Sequence, residues 1–68
     1  MNYTVILEKG KKNYSAYIPD VPGCVAAGKT KAETIKLIKE ALEAHLAIMK
    51  EHGEKIPKQS TFAETIAL

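Results

Sequence analysis

The sequence predicts a single α+β domain in which three or four antiparallel strands pack against one long helix, in the order β-β-β-α-β. Three observations support this class. Short runs of β-forming residues with alternating polarity occupy the N-terminal part of the chain. One long amphipathic segment follows, and helix-start and helix-stop signals bound it. A length of 68 residues leaves room for one domain at most.

The first two strands are predicted at residues 2–8 and 14–18, where β-forming residues alternate with polar ones. The polar loop between them contains Gly10 and Asn13, which both tolerate positive φ. Two such strands joined by a short loop are expected to pair antiparallel. Each strand would carry apolar side chains on one face: Tyr3, Val5 and Leu7 on the first, Tyr14, Ala16 and Ile18 on the second.

A turn with two prolines is predicted to separate the second strand from the third. Pro19 ends the second strand because it has no N–H to donate to the sheet. Pro22 and Gly23 suit the two central positions of a tight turn. Residues 24–27, which begin with Cys24, are all small enough to let a helix lie close over a short third strand.

The long helix is predicted to begin with a capping box. The Thr30 hydroxyl can accept a hydrogen bond from the Glu33 N–H, and the Glu33 carboxylate can accept one from the Thr30 N–H. The helix is expected to run to about His52, because Gly53 suits the left-handed position after a last turn. Pro57 would prevent the helix from resuming.

Two apolar stripes run along this helix, roughly 130° apart at about 100° per residue. One stripe is enough to cover a small sheet, so the second predicts a contact between subunits. The first stripe consists of Ile35, Ile38, Leu42, Leu46 and Met49, and the second of Leu37, Ala41, Ala44 and Ile48. Since two histidines lie between the stripes, the candidate oligomer interface comprises Leu37, Ala41, Ala44, His45, Ile48 and His52.

The C-terminal residues 61–68 have two interpretations. The residues at 65–68 favour a short strand that completes the sheet, and this is the interpretation we prefer. The alternative is one helical turn capped by Thr61 and Glu64.

Size and composition restrict the function. A chain below about 70–80 residues usually needs a disulfide, a metal or a partner subunit. Cys24 is the only cysteine and metal-ligand spacings are absent, so we expect no metal or cofactor and instead a homodimer or homotetramer. The chain shows neither a signal peptide nor an apolar run of about 18 residues, which predicts a cytoplasmic protein without membrane contact.

No set of residues predicts an active site, because too few carboxylates could converge on metal ions. Cys24 is expected to be a small buried apolar residue. Asp20, between two prolines, is expected to contact backbone N–H groups within its turn or, alternatively, a basic partner. Lys11 and Lys12, next to Lys9 at the hairpin tip, predict either a solvated turn or a phosphate contact. The net charge of +2 does not by itself favour nucleic acid.

These signals together resemble the HicB-like antitoxin family. The resemblance extends over nearly the whole chain and implies a three-stranded antiparallel sheet, one long helix and a final strand. The family fold is described as a degraded ribonuclease H-like unit that has lost its catalysis. The residues that carry the resemblance are Tyr17, Pro19, Asp20, Pro22, Gly23, Cys24, Gly28, Thr30 and Glu33, followed by Ile38, Glu40, Ala41, Gly53, Glu54, Ile56 and Pro57.

The resemblance also implies a function. Antitoxins of this family bind a small mRNA-cleaving toxin of the HicA type and cover its active site. Asp20, Lys11 and Lys12 are the candidate partner-binding residues. Many members add a C-terminal DNA-binding domain, whereas this sequence stops at Leu68, so operator binding is not expected. The alternatives are a small nucleic-acid-binding module that uses the lysine-rich hairpin, or a vestigial ribonuclease-like enzyme.

Overall fold

The computed structural model describes residues 1–68 and contains three strands and one helix. The strands are β1 (Ile6–Lys9), β2 (Tyr14–Tyr17) and β3 (Val25–Gly28), and the helix is α1 (Lys31–Glu51). The predicted α+β class, with three antiparallel strands and one long helix, is confirmed. The expected fourth strand is absent. Residues 61–68 form neither that strand nor the alternative helical turn. The ribonuclease H-like kinship stays a prediction.

The sheet has the strand order β1-β2-β3, and both neighbouring pairs are antiparallel. Residues Leu7, Ala16 and Ala26 form one row across the three strands, and all three contribute to the core. The next row contains Tyr17 and Val25, which are exposed on the opposite face. Because α1 packs over β2 and β3 on one face only, the other face of the sheet is open.

The core is small and lies between the sheet and the middle of α1. Its buried apolar residues are Ala16, Ile18, Val21, Cys24 and Ile38, around which Tyr3, Val5, Leu7, Ala26, Ala41 and Leu42 pack. Five of the six residues predicted to face inward from the first two strands are confirmed in this core, whereas Tyr14 is half-buried and not part of it. Burial raises the pKa of the Cys24 thiol, which disfavours the reactive thiolate.

The hairpin between β1 and β2 closes without a left-handed residue. The Gly10 N–H donates to the Asn13 carbonyl at 2.8 Å. Neither residue has a positive φ, so the loop does not use the left-handed conformation that Gly10 and Asn13 tolerate. Longer hairpin loops are commonly built around a type I turn, whose residues all have negative φ.

Two consecutive turns connect β2 to β3. The Val21 N–H donates to the Ile18 carbonyl at 3.1 Å, and the Cys24 N–H donates to the Val21 carbonyl at 3.1 Å. Gly23 has a φ of 86° and follows Pro22, which is the arrangement of a type II turn. The predicted tight turn at this position is confirmed.

Helix α1 begins at the predicted cap with one partner changed. The Thr30 hydroxyl accepts a hydrogen bond from the Glu33 N–H at 3.1 Å. The Glu33 carboxylate accepts from the Lys29 N–H at 3.1 Å rather than from Thr30, since the side chain reaches one residue further back. The helix start also lies against the end of β3, because a Cβ on Gly28 would be 2.8 Å from the Thr34 hydroxyl.

The helix ends, as predicted, at a left-handed glycine. Gly53 has a φ of 71°. The Glu54 N–H donates to the Met49 carbonyl at 2.8 Å, and the Gly53 N–H donates to the Lys50 carbonyl at 3.1 Å. These two bonds define a Schellman motif, which satisfies carbonyls that the helix itself leaves without partners.

The face that α1 presents to the sheet is rotated from the predicted one. Thr34 and Ile38 are buried, and Ala41 and Leu42 pack against the core. Ile35, which was placed on the inward stripe, is 45% exposed. Thr34 can take the buried position because its hydroxyl donates at 2.8 Å to a main-chain carbonyl one turn earlier.

Candidate partner-binding surfaces

The chain after α1 returns along the residues that lead into β1. The Tyr3 hydroxyl donates to the Pro57 carbonyl, and the Thr4 hydroxyl donates to the Thr61 carbonyl. The Gln59 side-chain amide donates to the Thr4 hydroxyl at 3.1 Å. Successive side chains of an extended chain point to opposite faces. A segment that contacts both Tyr3 and Thr4 therefore lies alongside the edge of the N-terminal residues. We call residues 57–61 the return segment.

These contacts explain why the return segment is not a strand. A β-ladder requires backbone donors and acceptors on both chains. Here the donors from the N-terminal residues are side-chain hydroxyls and the acceptors are carbonyls of the return segment. Residues 57–61 are therefore fixed by side chains, and they lead into residues 65–68, where the final strand is expected but does not form.

The Asp20 carboxylate holds the same segment from the turn between β2 and β3. It accepts hydrogen bonds from the N–H and hydroxyl of Ser60, both at 2.9 Å, and from the N–H and hydroxyl of Thr61, at 3.0 and 2.8 Å. The backbone N–H of Ser60 contributes most to lowering the pKa of this carboxyl from 3.8 to about 2, followed by the Thr61 hydroxyl.

The expected contacts of Asp20 within its own turn are not made. Its partners lie 40 and 41 residues further along the chain. An ionised carboxylate has about four lone-pair sites, and Ser60 and Thr61 together offer four donors at one point. Partner binding by Asp20 stays a prediction, and its carboxylate oxygens already have four intramolecular donors.

The lysine-rich end of the molecule contains two of the other candidate residues. Lys11 and Lys12 are exposed at the tip of the β1–β2 hairpin. The register aligns Lys9, Tyr14 and Gly28 at this end of the sheet, so the residues after β3 lie there too. The exposed lysines at this end are Lys9, Lys11, Lys12, Lys29 and Lys31.

The candidate oligomer interface on α1 is split by the structure. Leu37 is 37% and Ile48 is 53% exposed, and Ala44 lies exposed between them. We call these three residues the apolar line. By contrast, Ala41 packs against the core, and the half-buried His45 has its Cε1 atom 3.7 Å from where a Cβ on Gly23 would lie. His52 is the exposed C-cap residue of α1.

Two further apolar surfaces are exposed. The open face of the sheet carries Ile6, Tyr17 and Val25 in one cross-strand row. An open groove of about 410 Å³ lies on the other side of the molecule, next to the start of the chain. Its lining residues are Met1, Glu43, Leu46, Ala47, Lys50 and Ile56.

The structure holds no group of three or more His, Cys, Asp or Glu side chains close enough to bind a metal ion. The single helix α1 lacks the length of apolar sequence that a bilayer crossing requires.

The sequence reasoning missed the residues that fix the return segment. No partner is predicted from the sequence for Thr4, Gln59, Ser60 or Thr61. A signal was present, because four consecutive hydrogen-bonding residues, 58–61, follow Pro57, and the isolated carboxylate of Asp20 lies between two prolines. Nothing in the local sequence, however, states that the two regions meet.

Comparisons with known proteins place these surfaces in a family context. Residues 3–68 match the family model described as HicB_like antitoxin of bacterial toxin-antitoxin system. The chain is 42% identical over 67 residues to a UPF0150 protein of Thermoplasma acidophilum, with 97% of each chain covered. It is 38% identical over 66 residues to an uncharacterized 14.9 kDa protein of Haemophilus phage HP1, covering 97% of this chain and 50% of the phage protein.

A solved structure shows the same fold in a complex. A chain of the HicA3 and HicB3 toxin-antitoxin complex matches with a TM-score of 0.72 and 28% identity. The match covers 88% of this chain and 70% of that chain.

Proposed function

We propose, from the premise that this chain belongs to the HicB-like antitoxin family of bacterial toxin-antitoxin systems, that it binds a small HicA-type toxin that cleaves mRNA. Binding would neutralise the toxin by covering its active site. The observation that carries the proposal is the match to a chain of a HicA3–HicB3 complex at 28% identity. In this proposal the pair acts in the cytoplasm, and the antitoxin is a homodimer or homotetramer.

The open face of the sheet is the surface that we assign first to the toxin. It presents Tyr17, 42% exposed, between Ile6 and Val25. Tyrosine is enriched at the centres of protein interfaces, where its ring buries a large area and its hydroxyl can hydrogen-bond. Glu8 lies on the same face and can complement the positive charge that an RNA-cleaving protein needs near phosphates.

The test is co-expression of the chain with a HicA-type toxin, followed by a growth assay and co-purification. Rescue of growth together with a stable complex would support the proposal. Tyr17→Ala is expected to weaken binding at least tenfold, by analogy with central aromatic residues in other interfaces. Undiminished toxicity in the presence of the chain, with no complex recovered, would contradict the proposal.

Lys11 and Lys12 are tested separately, because the hairpin tip would lie at the rim of an interface on the open face of the sheet. A charge reversal at a rim position mainly changes the association rate. Lys12→Glu is therefore expected to slow association with the toxin, with a stronger effect at low salt. Lys58→Glu is the matched control, since Lys58 is also exposed but lies in the return segment. Equal effects of the two variants would remove the hairpin tip from the interface.

Nucleic-acid binding is the second candidate function, and the lysine-rich end favours it. Phosphate contacts release counterions, so binding of a labelled RNA or DNA should weaken steeply with salt. Replacing one contacting lysine with alanine should reduce the salt slope by about one. Binding that is weak and insensitive to Lys11→Ala would exclude this function for the hairpin.

A further inference from the structure

The outer edge of β3 carries backbone groups without partners in the sheet. The Ile18 N–H donates to the Cys24 carbonyl at 3.2 Å, at the point where these residues lie opposite each other. In an antiparallel ladder, hydrogen-bonded pairs alternate with pairs that are not bonded. The next pair along the strands, Tyr17 and Val25, is therefore not hydrogen-bonded. The same holds for the pair Ser15 and Ala27. The N–H and C=O groups of Val25 and Ala27 point away from β2.

This edge lacks the features that usually prevent strands from pairing with other chains. Such features include charged side chains, prolines, bulges and covering segments. Strand β3 reads Val-Ala-Ala-Gly and has none of the charged residues or prolines. Strand β1, at the other side of the sheet, contains Glu8 and Lys9, and the return segment lies beside the residues that lead into it.

The apolar line of α1 lies on the same side of the molecule as this edge. Leu46 contributes to the groove that Met1 and Ile56 line, so it marks the side of α1 nearest the start of the chain. At about 100° per residue, Leu37, Ala44 and Ile48 lie about 160° to 180° around the helix from Leu46. They therefore face the β3 side, and the bare edge and the apolar line form one composite surface.

We propose that this composite surface binds a second copy of the chain. The β3 strands of two copies pair antiparallel around a twofold axis that passes beside Ala26. Val25 of each copy then lies opposite Ala27 of the other, and the outward groups of both residues form four backbone hydrogen bonds. The product is a continuous six-stranded sheet, three strands from each copy.

The spacing of the helices agrees with this arrangement. Neighbouring strands are about 4.8 Å apart, so a helix that packs over β2 and β3 lies roughly 5 Å from the twofold axis. The two α1 helices would then be about 10 Å apart, near the usual 8–10 Å separation of packed helices. The apolar line of each helix would therefore contact the apolar line of the other.

A second copy fits this surface better than an unrelated strand would. The pairing is self-complementary and closes on itself, so it produces a dimer and not a fibre. The strand pairing places no like charges opposite each other, since Lys29 of one copy falls opposite Gly23 of the other. A core with five buried apolar residues is also small for an isolated domain. The inference deepens the homo-oligomer part of the proposed function and does not depend on the toxin.

The experiment uses the chain alone, so its failure would leave toxin binding untouched. Sedimentation equilibrium over a concentration series should give about twice the 7.4 kDa mass of one chain. Ile48→Glu should raise the dissociation constant at least tenfold. Ile35→Glu is the matched control, because Ile35 is similarly exposed but lies on the other side of α1. A monomeric wild-type chain, or equal effects of the two variants, would overturn the inference.

Hydrogen exchange separates strand pairing from helix contact alone. The amides of Val25 and Ala27 should be protected in the dimer and exchange at least tenfold faster in Ile48→Glu at low concentration. Ala27→Pro removes an outward N–H while leaving the β2–β3 bonds in place, and should also weaken the dimer. A dimer in which both amides exchange as fast as in the monomer would refute the continuous sheet.

Discussion

At the β1 side of the sheet the chain returns after α1 and lies beside the residues that lead into the strand, whereas the outer edge of β3 has no such cover. The covering contacts on the β1 side are made by side chains, from Tyr3 and Thr4 to carbonyls of the return segment. The β3 side has only small side chains and an apolar line on the helix above it. The difference indicates which surface the fold closes internally and which one it leaves for another molecule.

The largest expected effect comes from a substitution in the core, on which both sides of the sheet depend. Ile38 is 2% exposed and lies in the core beneath α1. Ile38→Ala should lower the free energy of unfolding by about 2–5 kcal/mol, because it removes buried methyl groups and leaves a cavity. Urea unfolding followed by circular dichroism measures this loss. Ile35→Ala, at an exposed position of the same helix, should cost far less, and similar losses would contradict the position of the core.

A smaller effect is expected where α1 begins against the end of β3. A Cβ on Gly28 would lie 2.8 Å from the Thr34 hydroxyl and 3.1 Å from the Thr34 backbone nitrogen. Gly28→Ala should therefore destabilise the fold by about 1–3 kcal/mol through overpacking. The double variant with Thr34→Ala should recover part of the loss in thermal unfolding, because it removes the nearest atom. If the double variant regained no stability, the contact with the Thr34 backbone nitrogen alone would account for the destabilisation by Gly28→Ala.

The return segment should respond to acid through Asp20. The pKa of its carboxyl is about 2 in the folded chain and 3.8 for the ordinary group, so the folded state favours the ionised form. This stabilisation is complete above about pH 5 and is lost as the pH falls through 3.8 towards 2. Asp20→Asn should lower the unfolding temperature at pH 6, and its difference from wild type should shrink between pH 4 and pH 2. A constant difference across that range would contradict the role of the charge.

The smallest effect is expected at Thr4. Its hydroxyl takes part in two hydrogen bonds of the return segment, whereas Asp20 accepts four. Thr4→Val should cost about 1 kcal/mol, the usual contribution of a hydrogen bond. Amide exchange at Thr61 should accelerate, while exchange at Val25 should not change. A coupled change at both amides would mean that the two sides of the sheet are not independent.

Local signals explain why much of the fold could be predicted. The Pro22–Gly23 turn, the Thr30 cap and the left-handed Gly53 each depend on neighbouring residues, and each forms as expected. The inward face of α1 could not be obtained in the same way. Ile35 is more apolar than Thr34, but the direction in which the sheet lies decides which of the two is buried.

Long-range contacts were the second feature that could not be predicted from the sequence. The Asp20 partners are about 40 residues away, and no local pattern pairs them. The expected final strand failed for a related reason, since β-forming residues indicate a strand only when an edge offers backbone partners. Residues 65–68 form no strand, and the return segment before them is held by side chains of Tyr3 and Thr4. The candidate partner residues and the oligomer interface stay predictions, to be decided by the binding experiments above.

The attachment of the return segment also has a practical meaning for labelling. Thr61 is held because its carbonyl accepts a hydrogen bond from Thr4 and its N–H donates to Asp20, so a fluorophore attached beyond this residue would start from the β1 side of the molecule. In the proposed dimer the two β1 strands are the outermost of six. Donor and acceptor dyes placed there would sit on opposite flanks of the assembly, where they could report its formation by energy transfer without touching the surface that forms it.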